Sequence, residues 1–197
     1  MFGGKCMKII LASKSPRRKE LLSLITKDFD IVVSDADENV DETLTSAEKV
    51  KSIAKQKANI VASGIDEDCV VIGSDTIVVV DETILGKPHD HDDAVRMLRM
   101  ISGRSHKVMT GVSVVIKRDG KLKEINDVDI ADVHVNALSD EEIESWINTG
   151  NAWDKAGAYA IQQEFAVHID KINGSFATVM GLPVHLVYKI LKDQKAL

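Results

Sequence analysis

The stretch KIILASKSPRRKELL, Lys8 to Leu22, decides the fold class. It begins with a short apolar run, Lys8 to Ala12, that predicts a buried β-strand. Ser15 is a suitable N-cap for a helix, Pro16 fits the first helical position, and leucines follow at helical spacing. The segment therefore predicts a strand that passes through a serine-rich turn into a helix, which is typical of an α/β protein.

The charges in this stretch do not suit a simple helix start. Arg17, Arg18 and Lys19 place positive charge where the backbone N–H groups of the first turn already carry partial positive charge. The misfit disappears if an anion binds, because those N–H groups, the hydroxyls of Ser13 and Ser15 and the guanidinium groups all suit phosphate oxygens. The alternative is a solvated basic turn in which Ser15 is only a cap.

Strand-like and helix-like segments continue along the chain. Further strands are predicted at FDIVVS (29–34), at CVVIGSDTIVVV (69–80) with an interruption at its centre, at HKVMTGVSVVI (106–116) and over 122–135. Further helices are predicted after the capping boxes Thr45/Glu48 and Ser139/Glu142, over 91–101 and over 184–192. The turn Asn173–Gly174 predicts a hairpin between FAVHIDKI and SFATVM. Hairpins among alternating elements favour an α/β fold with a mixed β-sheet.

The composition narrows the class of protein. Of the 197 residues, 44% are hydrophobic and 28% are charged, which is ordinary for a globular chain. The net charge of −6 disfavours polymeric nucleic acid as a partner. Cys6 and Cys69 form no CxxC pair, so neither a disulfide scaffold nor a cysteine-ligated zinc site is expected, and a reducing, cytoplasmic setting is favoured. No apolar run approaches the roughly 20 residues of a membrane span, so no membrane partner is expected.

The domain organisation is expected to be simple. Met7 would also serve as a start, so residues 1–6 are interpreted as a leader or remnant. Residues 7–197 contain no repeat and no clear linker, and they are expected to form a single domain.

Carboxylates in two parts of the sequence are candidates for catalysis or metal binding. Asp75 lies between two apolar β-branched runs. It is either a buried carboxylate that needs a partner or metal, or a turn aspartate bonded to its own backbone. The acidic loop with Asp35, Asp37 and Glu38 offers oxygen ligands for Mg²⁺ or Mn²⁺, although a solvated loop is the commoner meaning of such a run.

Lysines and histidines give weaker signals. Lys57, beside the apolar stripe of its helix, and Lys87, in GKP, each suit a phosphate as a point charge, but a solvated lysine is the commoner case. His89 and His91 lie in a predicted loop and are interpreted as exposed rather than as ligands. The sequence contains neither GxxxxGK[ST] nor GxSxG, so neither a Walker-type loop nor a serine nucleophile is predicted.

Motifs spread over nearly the whole chain from Met7 onward carry a family resemblance. They occur in family order as LASKSPRRKELL, AKQKA, VIGSDTIV, LGKP, LRMISGRSHKVMTGV, DKAGAYAIQ and VMGLP. The chain resembles the Maf nucleotide pyrophosphatases, also called septum-formation proteins. The resemblance implies hydrolysis of nucleoside triphosphates between the α and β phosphates, which would cleanse the nucleotide pool. It also implies a curved mixed β-sheet with flanking helices and two lobes around a cleft, similar to inosine triphosphate pyrophosphatases, together with a divalent metal (Mg²⁺ or Mn²⁺) and a homodimer.

The same resemblance implies roles for individual residues. Asp75 would be the catalytic base and a metal ligand, with Asp37 or Glu38 helping to hold the metal. A set of polar and cationic side chains would bind the triphosphate: Ser13, Ser15, Arg17, Arg18, Lys57 and Lys87.

Substrate preference is implied by a further small set of positions. Arg17, Thr76 and Gln162 match the subgroup that prefers dTTP and UTP. A sister subgroup that prefers 7-methyl-GTP has tryptophan at the first position and differs at the other two. Gln163 departs from the usual pattern, because glycine is frequent there, and this affects the expected shape of the local loop.

The expected mechanism depends on how water is activated. A free aspartate is a weak base at pH 7 because its pKa is about 3.9. Either burial of Asp75 or a bound metal would remedy this, and we favour metal activation, with Asp75 orienting or deprotonating the water. The alternative function is a nucleotide-binding regulator of cell division or septum formation whose hydrolysis is incidental.

Overall fold

The computed structural model describes residues 7–36 and 39–197. Residues 1–6, interpreted as a leader or remnant, and the expected metal ligands Asp37 and Glu38 lie outside the described residues. In chain order, the elements are β1 (Lys8–Leu11), α1 (Pro16–Leu22), β2 (Asp30–Ile31), α2 (Ser46–Ser63), β3 (Cys69–Val80), β4 (Thr83–Leu85), α3 (His91–Ile101), β5 (Arg104–Arg118), β6 (Lys121–Val135), α4 (Asp140–Asn148), β7 (Ile169–Asn173), α5 (Phe176–Met180) and α6 (Val184–Asp193). Short 3₁₀ turns span Ala156–Ala158 and Gln163–His168.

The strands form one mixed sheet, as predicted. The seven-stranded sheet has the order β2-β1-β3-β5-β6-β7, and β4 pairs with β3. Strand β1 is parallel to both of its neighbours, with Leu11 opposite Ile31 in β2 and opposite Ile72 in β3. Strands β4 and β7 are antiparallel to β3 and β6. The α/β class with a mixed sheet and flanking helices is therefore confirmed.

The chain divides into two compact units, which correspond to the two expected lobes. The first contains the described residues up to Asp75, Thr110–Asp129 and Gly181–Leu197, and the second contains Thr76–Met109 and Ile130–Met180. The boundary falls inside strands β3, β5 and β6.

The first unit is built on helix α2. Its N-terminus carries the predicted capping box between Thr45 and Glu48. Its predicted apolar stripe packs on strands β1 and β3, where Ala58 and Val61 share a buried cluster with Val71. The helix approaches the sheet closely because Gly73 has no side chain: a Cβ there would collide with the Ala54 carbonyl oxygen and lie 2.7 Å from the Ala58 nitrogen.

The second unit has its own apolar core. It is lined by α3, α4 and the segment 156–165, and its members include Met97, Leu98, Trp146, Tyr159 and Phe165. The rings of Trp146 and Phe165 are 5.2 Å apart, and those of Tyr159 and Phe165 are 5.3 Å apart. These aromatic contacts fix the ends of the short stretch that contains Gln162.

Three local predictions need correction. CVVIGSDTIVVV forms one continuous strand without an interruption. FDIVVS is a strand only at Asp30–Ile31. The hairpin at Asn173–Gly174 is wrong, because β7 pairs with the preceding strand β6 and the chain continues into helix α5. Gly174 instead packs against Ala131, where a Cβ atom would lie 2.8 Å from the Ala131 side chain.

No helix in the described part of the chain combines the length and the apolar character that crossing a membrane requires.

Candidate functional site

The serine-rich turn after β1 forms the predicted helix start. Ser15 caps α1 by accepting a hydrogen bond from the Arg18 amide at 3.5 Å, and Pro16 occupies the first turn. Ser13 is buried, and its hydroxyl oxygen accepts hydrogen bonds from the Ser15 amide (3.2 Å) and from Arg18 Nη1 (3.4 Å). A hydroxyl accepts two hydrogen bonds and donates one, so Ser13 is left with its proton to donate. Ser13 is thereby set up as a donor to an anion.

Some of the backbone amides in this turn already have hydrogen-bond partners within the protein. The amides of Ser15 and Arg18 donate to serine hydroxyls, the Lys19 amide donates to the Ser15 carbonyl at 3.1 Å, and Pro16 has no N–H. The amides of Ser15, Arg18 and Lys19 are therefore already used within the protein. The hydroxyl and guanidinium groups add to the capacity of this turn to bind an anion, and Ser15 is both a cap and a member of the turn.

Arg18 is held by a distant part of the chain. Its Nε donates a 2.9 Å hydrogen bond to the carbonyl oxygen of Gly181, which lies in the VMGLP motif before helix α6. Ser74, next to Asp75, also places its hydroxyl 2.9 Å from the Gly181 oxygen. Neither Gly181 nor Ser74 was assigned a role from the sequence. The sequence feature that could have indicated a role is that both residues lie inside motifs that carry the family resemblance.

Asp75 is a partnered carboxylate in a strand, not a turn aspartate. Lys57 Nζ donates to Asp75 Oδ1 at 2.7 Å, and both side chains are 13% exposed. The contact follows from strand alternation. Val71 faces α2, so Gly73 and Asp75 follow on the same side, where Gly73 allows the helix close enough for Lys57 to reach the carboxylate.

The sheet register brings the turn and the carboxylate to the same end of neighbouring strands. Leu11 pairs with Ile72, and the Ala12 amide donates to the Ile72 carbonyl at 2.8 Å. Continuing that register places Ser13 level with Ser74, one residue before Asp75. Parallel strands lie about 4.8 Å apart, so the donors after β1 and the ion pair on β3 lie near one another.

Three further predicted site residues lie in the second unit. Thr76 is half-buried on β3, Lys87 is exposed, and Gln162 is half-buried. The Gly157 amide donates to the Gly86 carbonyl at 2.9 Å, which joins the loop of Lys87 to the segment that leads to Gln162.

One side of β3 carries Thr76 and also contacts the segment that leads to Gln162. Val78, two residues after Thr76, lies on the same face of the strand as Thr76. Gly157 packs there, since a Cβ at this glycine would lie 3.1 Å from the Val78 side chain. Thr76 and the segment that carries Gln162 are therefore placed on a common face.

A buried histidine supports the Gln162 segment. His106 Nε2 and the Tyr159 hydroxyl are joined by a 2.7 Å hydrogen bond, with their rings edge to face at 5.1 Å. Burial lowers the pKa of His106 from 6.5 to about 4, and burial also raises the pKa of Tyr159. Both groups are therefore neutral at pH 7, and their bond is a fixed support.

The other predicted candidates have simpler environments. Asp35 is exposed, in the part of the acidic loop that the structure describes. His91 is the first residue of α3 rather than part of a loop, and it is paired with Glu144 at 2.8 Å at the surface. His89 is exposed. Arg17 is half-buried beside Arg18.

The donor set near Asp75 suits a metal that is shared with a substrate. Within residues 7–36 and 39–197, no group of three or more histidine, cysteine or acidic side chains is arranged to hold a metal ion. Mg²⁺ is commonly bound by one or two carboxylates together with substrate phosphates. Asp75 provides one such carboxylate, so the residues present fit a metal that binds together with phosphate.

Comparisons with known proteins identify similar sequences over nearly the whole chain. A family profile described as Maf-like protein matches residues 8–194. The chain is 45% identical over 188 residues to the dTTP/UTP pyrophosphatase of Thermoanaerobacter sp. (strain X514), covering 95% of this chain and 97% of the relative. It is 43% identical over 185 residues to the dTTP/UTP pyrophosphatase of Lachnoclostridium phytofermentans, covering 93% of each.

A solved structure shows the same fold. The HAM1 protein from Coxiella burnetii superposes with a TM-score of 0.50 at 11% identity, covering 95% of this chain and 99% of that chain. At this identity the likeness concerns the fold alone. The sequence matches are far stronger and cover nearly the whole chain, so the chain belongs to the Maf-like protein family.

Proposed function

We propose that this protein hydrolyses nucleoside triphosphates, with dTTP and UTP preferred, at the bond between the α and β phosphates. The products are a nucleoside monophosphate and pyrophosphate, and the role is cleansing of the nucleotide pool. The relatives named dTTP/UTP pyrophosphatase support this activity. The observation that carries the proposal is the Asp75–Lys57 ion pair, which lies on the strand next to the one that leads into the Ser13–Arg18 turn.

Binding of the triphosphate is assigned to the turn after β1. A triphosphate carries several negative charges, so it is bound best by preorganised cations and hydroxyl donors. The Ser13 hydroxyl oxygen already accepts two hydrogen bonds, so its proton is placed to be donated to a phosphate. The Gly181 carbonyl aligns the Arg18 guanidinium. Ser15, Arg17 and Lys87 are proposed to add further donors. Because these groups are held before substrate arrives, little reorganisation is needed on binding.

Asp75 is proposed to orient the attacking water and accept its proton. Its carboxylate is held at one oxygen by Lys57, which fixes the direction of the other oxygen. The Lys57 ammonium has three N–H donors, so it can hold Asp75 and contact a phosphate oxygen at the same time. Lys57 thereby places positive charge where negative charge grows during phosphoryl transfer.

A divalent cation is proposed to be required. Asp75 is the described residue that would hold it together with the substrate phosphates, and Asp37 or Glu38 stay proposed as further ligands. Such a cation, when bound, neutralises phosphate charge and lowers the pKa of water.

Base selection is proposed to involve Gln162, Thr76 and Arg17. The Gln162 amide can both donate to and accept from a pyrimidine edge. Its position is set by the Tyr159 and Phe165 rings on either side of it in the chain. These contacts support a fixed rather than adaptable base contact.

Two further expectations remain proposals. A homodimer is supported by the end strand of the sheet, where Ile31 is 43% exposed and the following Val32 and Val33 are 40% and 51% exposed. Light scattering on the purified protein measures its oligomeric state directly. A cytoplasmic location remains the expectation from the low cysteine content.

The deciding experiment measures pyrophosphate release by the purified protein. We expect release from dTTP and UTP with Mg²⁺ or Mn²⁺, and lower kcat/KM for CTP and 7-methyl-GTP. Asp75→Asn should lower kcat at least about a hundredfold while the protein stays folded. Tight triphosphate binding without pyrophosphate release would contradict the proposal and favour a nucleotide-binding regulator. A clear preference for 7-methyl-GTP would overturn the base assignment.

A further inference from the structure

Ser74 is a fully buried serine with an unusual pair of neighbours. It lies on β3 between Gly73 and Asp75, and none of its surface is exposed. Its hydroxyl oxygen is 3.0 Å from the carbonyl oxygen of Gly111 on β5 and 2.9 Å from that of Gly181. A hydroxyl has one proton to donate. That one proton is shared between the carbonyl oxygens of two separate backbone segments.

The Gly181 carbonyl connects Ser74 to Arg18. The same oxygen accepts the 2.9 Å hydrogen bond from Arg18 Nε, and a carbonyl oxygen has two lone pairs, so both bonds can form together. A guanidinium is planar and rigid, so fixing Nε fixes the direction of the whole group. The orientation of Arg18 therefore depends on where the Gly181 carbonyl lies.

The backbone at both carbonyls has special requirements. Gly181 has a φ of 110°, a conformation that residues with side chains rarely adopt. Gly111 lies directly under helix α2, where a Cβ would lie 2.9 Å from the Lys51 nitrogen. Gly111 is thus a fixed point of the sheet, whereas Gly181 lies in the connection that precedes α6. The Ser74 hydroxyl is placed to link the Gly181 carbonyl to the Gly111 carbonyl.

We propose that Ser74 is a positioning residue for triphosphate binding, acting through the Gly181 carbonyl on Arg18. Its hydroxyl holds that carbonyl in the place that aligns the guanidinium with the phosphates. Ser74 thereby determines the affinity for the polyphosphate and contributes little to the chemical step at its neighbour Asp75. This inference rests on the proposed function, because it assumes that Arg18 binds the phosphates of a substrate.

Ser113 provides a matched control. It is also a fully buried serine of the first unit, and its hydroxyl has no hydrogen-bond partner in the part of the chain that the structure describes. Ser74→Ala and Ser113→Ala remove the same atom from similar surroundings. Only Ser74→Ala removes a bond to the Gly181 carbonyl.

The test measures steady-state kinetics with dTTP and the Kd of inorganic pyrophosphate by calorimetry. Ser74→Ala should raise both KM and the pyrophosphate Kd roughly tenfold, with kcat changed less than about twofold, because a charge-assisted bond is misaligned rather than lost. Ser113→Ala should change none of these. In an Arg18→Lys background, which lacks the Nε donor, Ser74→Ala should add less than about a twofold effect.

A second variant tests the role of the Gly181 carbonyl by another route. Gly181→Ala displaces the same carbonyl while keeping Ser74, and it should likewise raise KM and the pyrophosphate Kd more than it lowers kcat. Equal behaviour of Ser74→Ala and Ser113→Ala would overturn the inference, and so would a loss of kcat at unchanged KM. A wild-type protein that binds pyrophosphate but releases none from any triphosphate would instead contradict the proposed function.

Discussion

Lys57 and Asp75 form a 2.7 Å ion pair that joins helix α2 to strand β3. The pair depends on a glycine two residues before the aspartate, because Gly73 lets the helix backbone approach the strand. Both side chains are mostly buried, so neither charge can be removed without leaving the other poorly solvated. Helix packing and the charge of the site are therefore coupled.

Replacing Lys57 tests that coupling. Lys57→Met should lower kcat/KM for dTTP at least tenfold, because the carboxylate loses its partner and the phosphates lose a cation. It should also lower the free energy of unfolding by about 1–3 kcal/mol. Lys55→Met is the control: Lys55 lies two residues earlier on α2, is half-exposed and pairs with Glu124. That variant should keep its kcat/KM and lose less than about 1 kcal/mol. Equal losses in both variants would contradict a specific role for Lys57.

Adding one methyl group at Gly73 should separate α2 from β3. Gly73→Ala should destabilise the protein by about 1–3 kcal/mol or more, because the new Cβ would collide with the Ala54 carbonyl oxygen. It should also reduce kcat, since Lys57 moves with the helix. Gly64→Ala is the control, because a Cβ there would lie 3.7 Å from the Val61 oxygen, at ordinary contact distance. Thermal unfolding and dTTP turnover measure both effects. A Gly73→Ala protein as stable as Gly64→Ala would refute the close packing.

Gln163 occupies a backbone conformation that favours glycine. Its φ is 67°, whereas that of the preceding Gln162 is −107°. Gln163→Gly should raise the free energy of unfolding by about 0.5–1 kcal/mol, because relief of left-handed strain exceeds the added entropy of the unfolded chain. Gln162→Gly should lower it by a similar amount, since Gln162 carries no such strain. Urea unfolding should thus show that the two substitutions change the free energy of unfolding in opposite directions. A loss of stability in both variants would contradict backbone strain at Gln163.

The buried His106 is expected to make the stability of the folded protein sensitive to acid. Burial first, and then the nearby Arg104 and His134, lower its pKa to about 4 in the folded protein, although Asp132 opposes the shift. The unfolded chain has an ordinary histidine pKa of about 6.5 and so binds this proton first as the pH falls. The stabilising contribution of neutral His106 is therefore fully present above pH 6.5. As the pH falls from about 6.5 to 4, this contribution to the free energy of unfolding decreases by about 3 kcal/mol at most.

The measurement compares unfolding free energies across that pH range. His106→Gln keeps a polar partner for Tyr159 but cannot titrate, so its stability should fall less steeply below pH 6.5 than that of the wild type. His185→Gln, at a position where the side chain is 59% exposed, serves as the control and should retain the wild-type profile. Parallel curves for the wild type and His106→Gln would exclude His106 as the source of the acid sensitivity.

Local structure was largely predictable because it depends on neighbouring residues. The caps at Ser15, Thr45 and Ser139 were each visible as short polar patterns before apolar stripes, and each occurs in the structure. The hairpin at Asn173–Gly174 was predicted by the same local logic and failed. Strand β7 pairs with the edge of the long strand β6, so tertiary pairing overrode the turn signal.

The sequence indicated which residues belong to the candidate site, but not which of them are in contact. The charge misfit at Arg17 and Arg18 and the carboxylate at Asp75 were visible in the sequence, and the motif order indicated the family. The sequence did not indicate that the Ser15 and Arg18 amides would already be engaged, or that Gly181 would align Arg18 from the far end of the chain. These contacts join residues that are far apart in sequence.

By itself, then, the sequence determined the elements, their caps, the family and the set of chemical groups, because propensity, periodicity and motif content are local properties. Only the tertiary structure decided which of those groups meet. It placed Lys57 against Asp75 and joined Ser74 to Arg18 through a single carbonyl oxygen. The physical reason is that such partners are chosen by the register of the sheet and by how closely a helix can approach it. In this protein, that approach depends on the missing side chain of Gly73.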